Sequence, residues 1–359
     1  MSEQWTIEDI IDDALETLSQ EAAEAVPAPE IAPKAPARAE DHGIDPAHSF
    51  TTIEENKSAY RDYKTCIERV YFLFERIAKK AVPDTRAVKT ISERLLQAVR
   101  TQREQFIGFV LGGEIKTYGM AKSAVNVAIL SALTAIEVKI PNHKVLHTII
   151  GALLHDVGML RLPERIREKK GALTDEERKL MRSHPLLSSE IAVREYECAN
   201  EVGDIVLQHH ERWDGNGYPR RASGEGICVG ARIVSIADSF EAMVSPRPYR
   251  SSIVGYQASK NILADNSRSF DPDILKAFIL TMGIYPIGSI VCLSNGAVGR
   301  VSEVRARTPL RPKVQILVDQ FKKMYKNEED KFVDLLAEKN LYIAKALTQE
   351  ELSEAYARA

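Results

Sequence analysis

Two adjacent polar pairs, about fifty residues apart, constrain this chain more than any other feature. His155-Asp156 follows Leu153-Leu154, and His209-His210 opens His-His-Glu-Arg-Trp-Asp-Gly-Asn-Gly-Tyr-Pro, residues 209–219. Buried imidazoles need hydrogen-bond partners, and a buried carboxylate needs a counter-charge or a metal. A fold that buries these pairs separately leaves two sets of costly polar groups. One that brings them together makes a metal site in which a carboxylate can bridge two cations and activate a water.

The rest of the chain is that of an ordinary globular protein. Its 359 residues are 44% hydrophobic, enough for one large core or two to three domains. A net charge of −3 gives no electrostatic case for nucleic acid or an anionic membrane. The four cysteines (Cys66, Cys198, Cys228, Cys292) are scattered and form no Cys-x-x-Cys, so a reducing cytoplasm is expected, without structural disulfides. No secretory signal pattern and no uninterrupted apolar run of membrane-spanning length is read, so no membrane association is expected.

Composition and periodicity divide the chain into five parts. Residues 1–24 are acidic and amphipathic, with Trp5, Ile7, Ile10, Ile11, Leu15 and Leu18 at helical spacing and no Lys or Arg. This segment reads either as a docking helix or as a transient helix at a loose terminus. Residues 25–50 are an Ala/Pro-rich linker. Residues 51–110 read as a small helical unit broken near Val82-Pro83-Asp84. Residues 111–286 are a run of helices, in which Thr174 and Glu177 form a capping box opening a helix through Ser183, with Pro185 helping to end it. Asp271-Pro272 opens another helix. Residues 287–359 change character: short strands at 289–294, 298–304 and 314–319 surround an Asn295-Gly296 turn. Helical pattern returns at 328–338 and 349–358. The expected fold is mostly α, a helical bundle with a β-containing C-terminal appendix.

The candidate ligands are His155, Asp156, His184, His209, His210 and Asp238. Alone, His184 before Pro185 reads as a helix-end histidine and Asp238 as a helix polar residue. Six such residues at helix boundaries weaken that plain reading. With Lys170 to Thr174, Met181 to Pro185, residues 209–219, Ala231 to Asp238 and Arg247-Pro248-Tyr249-Arg250, the stretch from about 110 to 290 resembles the HD-GYP family, a branch of the HD phosphohydrolase superfamily.

The resemblance implies an all-helical domain, a centre of two or three metals (iron or manganese) and phosphodiesterase activity on cyclic di-GMP. It also implies that Asp156 bridges two metals, that His155 and Asp238 serve the first, and that His184, His209 and His210 serve the second. Asp156 and His155 would then carry catalysis. Gly217 and Tyr218, beside the small turn residues 214–217, and Arg247 and Arg250, whose planar forks suit phosphate oxygens, would bind substrate.

Three positions depart from the family pattern. Ser123 stands where a metal-binding His is usual, and a neutral hydroxyl is a weak ligand. Gly119 stands where a third-metal Glu lies, which argues against a third metal. Met159 replaces a Lys and cannot neutralise developing negative charge. Two functions therefore compete. One is a metal-dependent cyclic di-GMP phosphodiesterase. The other is a catalytically degenerate, nucleotide-responsive scaffold that engages a protein partner through the Gly-Tyr-Pro loop or the N-terminal helix. A homodimer is left open.

Overall fold

Helical periodicity governs the chain up to Met282, and several helices start at a residue with a local reason to do so. The computed structural model describes residues 53–357 apart from 113–114, 116, 170, 246–254, 265–267, 306–307 and 326–330. The acidic segment, the linker, Arg247 and Arg250 lie outside the described residues. Helix α1 (Ile53–Ala78) is followed by α2 (Thr85–Thr101), whose N-cap Asp84 accepts from the Arg86 amide, and by α3 (Arg103–Gly112). Next come α4 (Gly119–Glu137) and α5 (Asn142–Leu154), then a 3₁₀ turn over Val157–Arg161.

Beyond that turn, α6 (Asp175–Met181) opens on the expected capping box, with both hydrogen bonds of Thr174 and Glu177 present. It stops at Met181, and Pro185 does not end it. Pro185 instead sits in the first turn of α7 (His184–Glu190). Proline suits that place because an amide there would lack an intrahelical acceptor anyway. The series continues with α8 (Asn200–Gln208), α9 (Val229–Val244), α10 (Gly255–Leu263) and α11 (Pro272–Met282), the last capped by Asp271.

One apolar cluster runs through these helices, from Ala59 on α1 to Ile287. The central helix is α4, nearly all of whose residues from Ala121 to Ala135 are buried. By length and composition α4 could cross a membrane, but here its apolar surface is spent on the protein core. Helices α5 and α9 pack against it and carry His155-Asp156 and Asp238 inward, and α8, packed on both, brings His209-His210.

After Pro286 the backbone becomes extended. Strands β1 (Ile290–Leu293), β2 (Val298–Glu303), β3 (Lys313–Val318), β4 (Phe332–Asp334) and β5 (Ile343–Ala346) form an antiparallel sheet in the order β4-β3-β2-β1-β5. Alternation sorts side chains to its two faces. Val291, Leu293, Val301, Val314 and Ile316 fill one, while Ile290, Val298 and Leu347 meet Leu352 of α12 (Gln349–Ala357) on the other. The Asn295-Gly296 turn closes β1 on β2, with Gly296 at φ 85. The helical expectation at 328–338 fails, because Phe332–Asp334 pairs with Lys313–Gln315 as an edge strand. There Val333 and Leu335 reach the sheet core, and ladder pairing outweighs local helical preference.

Candidate metal centre

Helix ends place the candidate ligands. His155 caps the C-terminus of α5, and Asp156 follows at the start of the 3₁₀ turn. His184 opens α7, His209 caps the C-terminus of α8 with His210 next, and Asp238 projects from within α9. Three imidazoles use the same local device. The Nδ1 atoms of His155, His184 and His209 meet the carbonyls of Ala152, Met181 and Val206, three residues earlier, at 2.7, 2.8 and 2.6 Å. A carbonyl only accepts, so each Nδ1 carries a proton, which leaves Nε2 as the atom that offers a lone pair whenever the ring is neutral.

Those lone pairs converge. Asp156, His184, His209 and His210 each offer a ligand atom, all within 4.8 Å of one another. The two carboxylate oxygens of Asp156 divide between two donor groups. Oδ1 lies 3.1 Å from His184 Nε2 and 3.9 Å from His209 Nε2, whereas Oδ2 lies 3.4 Å from His155 Nε2. His155 Nε2 is also 3.7 Å from Asp238. His184 Nε2 faces His209 Nε2 at 3.5 Å, so a proton or a cation shared between the two nitrogens would satisfy both. The donor set therefore fits a divalent metal, with imidazole and carboxylate suiting iron, manganese or zinc.

Burial and charge are consistent with that use. The side chains of His155, His184 and His209 are 2%, 2% and 0% exposed, while Asp156 is 26% exposed, so the centre opens to solvent on its carboxylate side. Burial and the neighbouring His210 push the His209 pKa well below its ordinary value. Burial and His184 push His210 down to about 3. Burial also opposes the charged forms of His155 and Asp156, but their mutual attraction prevails, holding His155 high and Asp156 well below the usual carboxylate range. Two imidazoles thus stay neutral, as ligands must.

Comparison with known proteins agrees with this geometry. Residues 113–274 match the HD domain, and residues 290–355 match a KOW domain associated with HD domains. The HD match covers somewhat under half of the chain and shows similarity to HD-domain proteins over that stretch. A cyclic di-GMP phosphodiesterase of Pseudomonas aeruginosa is 35% identical over 195 residues, covering 54% of this chain and 46% of that protein. The cyclic di-GMP phosphodiesterase PdeB of Borreliella burgdorferi is 29% identical over 229 residues, covering 64% and 60%. The chain thus spans about half the length of these curated relatives. A solved HDG"Y"P protein from Bdellovibrio bacteriovorus shares the fold, with a TM-score of 0.52 at 17% identity over 65% of this chain and 74% of that one.

The Gly-Tyr-Pro loop leans on the centre. The Tyr218 ring stacks on His210 with centroids 4.8 Å apart, and the Arg182 guanidinium lies 5.2 Å from the Tyr218 centroid. Gly217 lies so close to the preceding chain that a Cβ would stand 2.4 Å from the Arg212 nitrogen and 2.5 Å from the Glu211 Cα. Trp213 is held against Arg232 at 5.5 Å, and its amide donates to Ser269, so it anchors the loop.

His143 and His147 lie elsewhere on α5, where His147 pairs with Glu201 at 2.7 Å. Ser123 does not join this ligand cluster. Its hydroxyl meets Glu241 on α9 at 2.5 Å. Glu241, Asn126 and Arg182 were not singled out from sequence. Glu241 sits three residues beyond Asp238, a spacing that puts both on one helix face and was the available signal.

Proposed function

We propose that this protein is a metal-dependent phosphodiesterase that hydrolyses cyclic di-GMP, using two iron or manganese ions. The observation that carries the proposal is the divided carboxylate: Asp156 Oδ1 faces His184 and His209 while Oδ2 faces His155. His184, His209 and His210 would hold one ion and His155 and Asp238 the other, with Asp156 between them. Bound ions would supply Lewis-acid polarisation of a phosphodiester and an acidified water. The chain's own part is to keep the Nε2 lone pairs directed inward, to expose Asp156 to incoming substrate, and to present Tyr218 at the rim. Arg247 and Arg250 would meet phosphate oxygens. Names of the relatives support the choice of cyclic di-GMP among cyclic dinucleotides.

Ser123 and Met159 favour the scaffold reading, because one ligand position and one cation of the family pattern are missing. The deciding experiment is turnover of cyclic di-GMP by protein purified without oxygen and supplied with iron(II) or manganese(II). Hydrolysis that vanishes in the His155→Ala/Asp156→Ala variant supports the enzyme. Full metal occupancy without hydrolysis refutes it in favour of the scaffold.

A further inference from the structure

Where the family pattern has a ligand, this chain has built a different device. Glu241 is 1% exposed, and a buried carboxylate is expensive unless several donors serve it. Ser123 donates to its Oε2 at 2.5 Å, and Ser245 donates to Oε1 at 2.5 Å. The side-chain amide of Asn126, itself 0% exposed, donates to Oε1 at 3.3 Å. Asn126 has its amide orientation set from the far side, because the Tyr63 hydroxyl donates to Oδ1 at 2.7 Å. Tyr63 belongs to α1 and is wedged against Phe109 and Phe106, with centroids 5.3 and 6.1 Å away. One polar line therefore joins α1, α4 and α9. It ends one helical turn from Asp238, on the same face of α9.

We infer that Ser123 and Glu241 are positioning residues for Asp238, and that Tyr63, through Asn126, ties this lock to α1. Asp238 stands 3.7 Å from His155 and is the carboxylate that would complete the first metal set. Its placement depends on the rotation of α9 about its own axis. Apolar packing of Phe240 and Val244 limits that rotation loosely, whereas a carboxylate held by two directional donors of α4, Ser123 and Asn126, limits it tightly. Ser123 is then a repurposed position. It gives up coordination and anchors the helix that carries another ligand. Tyr63 lies on α1, so a displacement of α1 would reach Glu241, one turn from Asp238, through two hydrogen bonds.

The inference rests on the two-metal reading, and manganese(II) titration by calorimetry tests them separately. The full chain is compared with Ser123→Ala, Ser123→Thr and Tyr63→Phe, with thermal melts of each metal-free protein alongside. Two equivalents should bind to the unaltered chain. Loss of the Ser123 hydroxyl should weaken one of them about tenfold, as removal of outer hydrogen-bond partners of metal ligands does. Tyr63→Phe should weaken the same equivalent several-fold, and Ser123→Thr, which keeps the hydroxyl, should retain wild-type affinity. Lower melting temperatures with unchanged manganese affinity would mean a structural role only and overturn the inference. Tighter binding in Ser123→Ala would also overturn it, by showing that a released Glu241 ligates the metal itself. An unaltered chain that binds no manganese(II) or iron(II) removes the two-metal reading and the inference with it.

Discussion

The glycine at position 158 offers the sharpest test of how the two halves of the centre are held together. Its amide donates to Ser188 Oγ at 2.7 Å, so the turn after Asp156 rests directly on α7. A Cβ at this position would stand 2.3 Å from the His184 carbonyl oxygen, 2.7 Å from the Ser188 nitrogen and 2.8 Å from Ser188 Oγ. Two of those atoms are backbone and cannot swing aside. Restoring ordinary contact of about 3.5 Å therefore requires the turn and α7 to separate by roughly 1 Å. Overpacking of this kind costs about 2 kcal/mol, which in a domain of this size lowers the melting temperature by ~5 °C. The separation falls between Asp156 and His184, which are 3.1 Å apart. Gly158→Ala should therefore also weaken manganese(II) binding by roughly 10- to 100-fold. Thermal melts of metal-free protein and calorimetric titration measure the two effects. Ser188→Ala, which deletes only the hydrogen bond, should cost about 1 kcal/mol. If Gly158→Ala melts and binds like the unaltered chain, the turn and α7 are not in the close contact described, and the reasoning fails.

Two further outcomes are expected. His209→Ala/His210→Ala should purify with at least one equivalent less bound iron or manganese, and elemental analysis showing unchanged content would remove these imidazoles from the ligand set. The metal-free protein should also lose stability as pH falls. His210 titrates near 3 when folded and near 6.5 when unfolded, so only the unfolded chain takes up its proton between those values. Its contribution is complete above pH ~6.5 and declines by about 1.4 kcal/mol per pH unit below it. His155 has the opposite sign, since its raised folded value adds stability on the acid side. Comparing chelator-treated wild type with His210→Asn by denaturant melts from pH 7 to 4 isolates the effect; a stability difference flat across that range would refute it.

The sequence alone determined the helical body, the capping box at Thr174, the helix start at Asp271 and the hairpin at Asn295-Gly296, because each rests on neighbours within a few residues. The ligand types were legible for a similar reason: adjacent His-Asp and His-His have few uses besides meeting a metal. Local signals failed where distant partners decide. Residues 332–334 became a strand because β3 offered an open edge, and Pro185 opened a helix because the chain turns just before His184. Which oxygen of Asp156 faces which imidazole, and what Ser123 does, depended on the packing of α5, α7, α8, α9 and α4 around one core. Read along the chain, Ser123 is a missing ligand. In the fold it is the donor to a buried carboxylate 118 residues away, a relation that no local pattern encodes because only tertiary packing makes the two residues neighbours.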